Sequence, residues 1–167
     1  MKICVVNGHG GAGKDTFEQF VMDYAGYKER VLVSKLSIID SVKNIAKEIG
    51  WTGGKTDKDR KFLFELKKLL TEYNNYPRKV LAQKIKECQK IGVTYLFIDA
   101  REIEDIEWLK TEYNASVVLV DRGIVHSYGN AADDGVMDIV YDLVIDNTGT
   151  LDDLRAGAEY FWKNYFK

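Results

Sequence analysis

The sequence predicts an α/β protein: a mostly parallel sheet with helices on both faces. Three observations carry that expectation. Short apolar runs alternate with helix-length amphipathic stretches along the whole chain. The first run (Ile3, Cys4, Val5, Val6) enters a glycine-rich turn that leads straight into a helical pattern. The run VTYLFID at 93–99 is nearly all apolar, as a strand covered on both faces should be.

The turn after the first strand reads Gly8-His9-Gly10-Gly11-Ala12-Gly13-Lys14. This is the G-x-x-x-x-G-K pattern of a phosphate-binding loop, in the strand-before, helix-after context it requires. Glycines let the backbone wrap an anion with its N–H groups. The helix that follows adds unpaired N–H groups and the positive end of its dipole. Lys14 adds a mobile cation. Asp15 stands where Ser or Thr is usual, and Thr16 comes next. A carboxylate is a good Mg²⁺ ligand, so Asp15 or Thr16 is expected on the ion. The alternative for Asp15 is a first-turn acid favoured by the dipole.

The elements follow in order. Residues 15–25 read as a helix with Phe17, Phe20, Val21 and Tyr24 inward. Residues 30–35 read as the second strand, with Ser37 as the next helix cap. That helix carries an apolar stripe of Ile38, Val42, Ile45, Ala46 and Ile49, and WTGGKT at 51–56 is a loop. Residues 57–73 form a charged helix buried on Phe62, Leu63, Leu66, Leu69 and Leu70. Pro77 opens the next helix, to about 91, with Val80, Leu81, Ile85 and Cys88 inward. After the third strand at 93–99 come a helix at 102–113, a strand at 115–121, a strand at 141–145 and a closing helix at 152–166. Residues 123–140 are rich in Gly, Asp and Asn and form a lid-like segment, while 37–92 form a helical acceptor-binding region. No linker or repeat interrupts 1–167, which reads as one domain.

Composition narrows the function. The net charge is −2, which gives no support for nucleic acid as a partner. Cys4 and Cys88 lack metal-ligand spacing partners and fit a reduced, cytoplasmic setting. The N-terminus reads as a core strand rather than a signal peptide, and no apolar run is long enough to span a membrane. The aromatic closing helix has more apolar surface than one buried stripe requires, a pattern that fits a homodimer contact, docking on the sheet being the simpler reading.

In parallel α/β sheets, ligands sit at the carboxyl ends of the strands. That rule gathers the glycine loop, Lys35 and Ser37, Asp99 and Arg101, Arg122, and Asn147 into one place. Phosphoryl transfer needs positioning and positive charge more than covalent help. Lys14, Arg101 and Arg122 are the candidate catalytic cations, the last two able to grip phosphate oxygens as a fork. Asp99 is a second candidate for the Mg²⁺ shell. Arg60 and Arg78, on the middle helices, are candidates for an acceptor phosphate, as are Lys35, Asp40 and Tyr76 by position. For Arg60, Arg78, Lys35 and Asp40 the competing reading is solvated surface.

These residues resemble the P-loop nucleoside and deoxynucleoside monophosphate kinases, a group that includes bacteriophage deoxynucleoside monophosphate kinases and dephospho-coenzyme A kinase-like proteins. The resemblance is carried by NGHGGAGKDT at 7–16, KDRKFLFELKKLLTEYN at 58–74, FIDAREIEDIEWLK at 97–110, LVDRG at 119–123 and YDLVIDNTGTLDDL at 141–154. It implies a three-layer P-loop NTPase fold with a five-stranded sheet ordered 2-3-1-4-5. It also implies ATP and Mg²⁺ at Gly8 through Thr16, and an acceptor monophosphate between the helices after strand two and Arg101.

The chain departs from that pattern in its lid. No Lys or Arg occurs between Arg122 and Arg155; the segment carries His126, Asp133, Asp134 and Asp138 instead. Three readings result. The first is ATP-dependent phosphorylation of a nucleoside or deoxynucleoside monophosphate. The second keeps the chemistry and changes the acceptor to a modified nucleotide, a modified DNA base or another small phosphate ester. The third is a non-catalytic nucleotide-binding module.

Overall fold

A computed structural model describes residues 1–123 and 138–166. Most of the lid-like segment, with His126, Asp133 and Asp134, lies outside the described residues.

Five strands form one sheet: β1 (Lys2–Asn7), β2 (Val33–Ser37), β3 (Tyr95–Asp99), β4 (Ser116–Asp121) and β5 (Leu143–Asp146). Their spatial order is β2-β3-β1-β4-β5, and every pairing is parallel. The helices are α1 (Lys14–Tyr24), α2 (Asp40–Glu48), α3 (Asp57–Asn74), α4 (Tyr76–Lys90), α5 (Ile103–Tyr113) and α6 (Leu151–Phe161). Single π-helical turns extend α1 over Ala25–Glu29 and α6 over Trp162–Phe166.

Alternation along each strand builds two cores. Cys4, Val6, Tyr95, Phe97, Val118, Val120 and Ile145 face α1 and α6, where Phe17, Val21, Leu154, Phe161 and Trp162 cover them. Phe17 and Phe161 meet edge to face at 5.3 Å between ring centroids, which locks α1 to α6. The opposite face presents Ile3, Val5, Leu96, Ile98 and Val117 to Leu81 and Ile85 of α4 and to Ile106 and Leu109 of α5.

Several boundaries differ from expectation. β2 begins at Val33, not residue 30, because Arg30 takes a left-handed backbone (φ 54°) that ends the π turn, and pairing with β3 starts at Val33 opposite Tyr95. Ser37 is the last residue of β2 and does not cap α2; its N–H instead donates to Asp40 Oδ2 at 3.3 Å. Ile49 is exposed because α2 ends at Glu48 and the chain turns away. Leu69 is exposed too, and the buried side chain on α3 is Lys67. In the closing helix, Phe161 and Trp162 dock on the sheet while Tyr160 and Tyr165 face outward. Thr56 caps α3 and Thr150 caps α6, each reciprocally with an aspartate three residues on.

Candidate phosphate-binding site

The buried run of β1 ends at Asn7, which is fully enclosed. Its Oδ1 accepts from the Gly8 N–H at 2.7 Å, and its Nδ2 donates to Tyr141 Oη at 3.1 Å. This pins the first residue of the loop. Gly8 has φ 144°, and a Cβ there would lie 2.4 Å from the Val120 carbonyl oxygen on β4. Only glycine lets the loop start so close to the neighbouring strand.

The rest of the loop is held from several sides. Lys14 Nζ donates to the carbonyls of Gly8 (2.5 Å) and His9 (2.9 Å). Arg122 Nη1 donates to the Gly11 carbonyl at 3.4 Å, and Asn147 Nδ2 to the Ala12 carbonyl at 2.8 Å. The Ala12 N–H returns to the His9 carbonyl at 3.1 Å. Gly13 takes the N-cap position of α1 with φ 95° and has no side chain to cap the helix. The first N–H groups of α1 are thereby left open to an anion at the end of its dipole.

This loop forms one wall of a cavity of about 1010 Å³. Gly10, Gly11, Gly13, Lys14, Asp15 and Thr16 line it on the loop side. Arg101 and Arg122 line it at the ends of β3 and β4, as strand-end placement predicts. The far wall comes from α2, the 51–55 loop and α3, with Lys43, Lys47, Trp51, Lys55, Arg60 and Phe64. Gly8, His9 and Ala12, expected at the nucleotide, are not among the residues that line the cavity. The His9 Nδ1 is buried and makes no hydrogen bond.

Beneath the loop lies a cluster of opposite charge. Asp15, Glu18 and Asp99 bring carboxylate oxygens within 4.8 Å of one another. Lys35 reaches into them, in contact with Asp15 and Glu18 and 3.1 Å from Asp99 Oδ2. Burial pushes the Glu18 carboxyl up to about 8, with the Asp99 charge adding to the rise and Lys35 opposing it. The hydrogen bond from Lys35 holds Asp15 below its usual range. Burial works against the Lys35 ammonium, but its bonds to Asp15 and Glu18 outweigh that and hold it above the ordinary lysine range. Three oxygen-donor groups at this spacing fit a hard divalent cation such as Mg²⁺. Thr16 lines the cavity beside them.

Four expected acceptor contacts are not on the cavity wall. Arg78 does not line the cavity: its Nε donates to Asp105 Oδ1 at 2.7 Å, and its guanidinium lies 5.5 Å from the Trp108 ring centroid. A buried carboxylate on α5 is a stronger partner for it than solvent would be. Asp40 faces the start of its own helix, where it accepts from Ser37 and lies 3.9 Å from Lys43. Lys35 is taken up by the carboxylate cluster, and Tyr76 is not on the cavity wall.

Sequence reasoning missed Asp105, buried on α5, and two buried charges on other helices. Glu18 is one, though it follows Phe17 and precedes Val21 by three on the inward face of α1. Lys67 is the other, four residues after Leu63 and three before Leu70 on the inward stripe of α3. Its Nζ meets Asp105 Oδ2 at 2.5 Å and Glu102 Oε1 at 2.7 Å, tying α3 to α5 beside the cavity. A charged residue standing on an apolar stripe was the available signal in both cases.

Sheet order, strand-end cavity and glycine loop together define a three-layer α/β P-loop fold. The chain is similar in structure to thymidylate kinase from Ehrlichia chaffeensis, with a TM-score of 0.54, 16% sequence identity, and 97% of each chain covered. A variant of the APS kinase from Mycobacterium tuberculosis aligns with a TM-score of 0.46 and 12% identity, over 98% of this chain and 97% of that one. No protein-family model matches the chain, and no curated protein gives a significant sequence match. Among the described residues no helix is long and apolar enough to cross a membrane.

Proposed function

We propose that this chain transfers the terminal phosphoryl group of ATP, with Mg²⁺, to a nucleoside or deoxynucleoside monophosphate. The observation that carries this reading is the two-ended cavity. One end is the glycine loop with Lys14; the other is a wall with two aromatic faces, Trp51 and Phe64, and the cation of Arg60. Arg101 and Arg122 line the same cavity from the sheet ends.

In this reading the loop N–H groups and the start of α1 bind the donor phosphates. Lys14 exchanges its loop carbonyl partners for phosphate oxygens. Asp15, Thr16 and Asp99 hold Mg²⁺, which neutralises charge on the donor. Arg101 and Arg122 stabilise charge on the equatorial oxygens of the transferring group. Arg60 and the lysines of α2 receive the acceptor phosphate, and the aromatic faces receive its base. The acceptor phosphate oxygen forms the new P–O bond as the bond from phosphorus to the ADP oxygen breaks.

A coupled ADP-release assay tests this, run with ATP, Mg²⁺ and each common nucleoside and deoxynucleoside monophosphate, beside Lys14→Ala. Release that requires one acceptor and vanishes in the variant is the expected result. ATP binding by calorimetry without release for any acceptor would sink the monophosphate kinase reading and favour a binding module.

A further inference from the structure

The carboxylate cluster beneath the loop already contains a cation, and that cation belongs to the chain. We infer that Lys35 is the resident cation of the Asp15–Glu18–Asp99 cluster and keeps a divalent ion out of it in the nucleotide-free protein. A divalent ion takes these oxygens only when the ammonium has withdrawn.

The placement follows from register. Lys35 pairs with Phe97 and Ser37 with Asp99 on adjacent parallel strands, so Lys35 and Asp99 share the face covered by α1. Asp15 and Glu18 stand three apart on α1, on one side of that helix. An ammonium has three donors and no acceptor. Here it lies within ion-pair reach of three carboxyl groups and donates a hydrogen bond to Asp15, with its side chain only 24% exposed.

The same oxygens are what a hard divalent ion seeks. Glu18 is fully buried, and its Oε1, like Asp99 Oδ1, is a buried oxygen that accepts no hydrogen bond. Capacity for a ligand therefore remains at the cluster, yet its centre is filled. An ammonium and a divalent ion at such spacing repel strongly in a partly buried site, so the two exclude each other. The consequence is order: metal enters with the nucleotide, whose phosphates supply an alternative home for Lys35. That consequence rests on the Mg²⁺-nucleotide reading above, whereas the exclusion itself is a property of the free protein.

The test is Mn²⁺ binding to nucleotide-free protein, read by electron paramagnetic resonance and by the Mn²⁺-dependent rise in Tm. Wild type should bind weakly. Lys35→Met and Lys35→Gln should bind about tenfold tighter or more, and adding Asp99→Asn to either should remove most of the gain. If the lysine variants are unfolded in metal-free buffer, millimolar Mn²⁺ should restore folding. Three results overturn the inference: tight Mn²⁺ binding by wild type that is lost in Asp99→Asn; folded lysine variants with no gain; or unfolded variants that Mn²⁺ does not rescue. A purely structural ion pair gives one of the last two. The titration omits ATP and acceptor, so a failed kinase assay leaves its outcome unchanged.

Discussion

Asn147 Nδ2 lies 2.8 Å from the Ala12 carbonyl oxygen and ties the turn after β5 to the glycine loop. The same nitrogen would sit 2.4 Å from a Cβ at residue 13, where φ is 95°. Two constraints therefore meet at Gly13: a left-handed backbone and an occupied space. Gly13→Ala is expected to destabilise the protein by about 1 to 3 kcal/mol and to weaken ATP binding. Asn147→Ala in the same chain should recover part of the stability by removing the clash, though not the strain. Urea unfolding of the two single variants and the double variant checks this.

Glu18 makes stability depend on pH. Its carboxyl titrates near 8 in the folded chain against an ordinary value of 4.5. The folded state thus holds this proton more tightly than the unfolded state does. The group's contribution to stability is full below about 4.5 and declines as pH rises to about 8, after which it is flat. Glu18→Gln mimics the protonated form and should lose that decline. The difference in Tm between wild type and variant, measured from pH 4.5 to 8.5, should shift steadily in favour of the variant. A constant difference would show that Glu18 titrates normally.

Asp105 bridges two cations from different helices, Lys67 on α3 and Arg78 on α4. Both it and Lys67 are buried. Removing one member of a buried network leaves uncompensated charge. Asp105→Ala should cost about 3 to 5 kcal/mol in denaturant unfolding, and loosen α3 and α4 before the sheet. Hydrogen exchange should then show faster opening in α3 and α4 than in β1 and β3.

Arg101 separates transition-state from ground-state binding. If it acts on the transferring group, Arg101→Ala should lower turnover by about a hundredfold with little change in ATP affinity. Steady-state kinetics with calorimetry measures both. Equal loss of the two would reassign Arg101 to ground-state binding.

Much of the site was legible because its signals are local. The loop spacing names the residues from Gly8 to Thr16, and the rule that ligands gather at strand ends brings Asp99, Arg101 and Arg122 to them. The middle helices were less legible. Arg78 reads as an acceptor contact from one helix alone, because the sequence of α4 says nothing of Asp105 on α5, 27 positions away. Lys67 and Glu18 were hidden by their type, since charged residues are rarely buried without a partner from elsewhere in the chain.

The alternation of strands and helices, the glycine loop and the sheet end at which it lies were readable from the chain alone. Those depend on periodicity, glycine geometry and chain direction, which are properties of neighbouring residues. Which charges meet was settled by the packing of the elements. Lys35 finds Asp15, Glu18 and Asp99 across β2, α1 and β3, and Asn147 finds Ala12 across 135 positions. The reason is physical: a buried charge is tolerable only beside its partner, and that partner is set by how the sheet and helices pack.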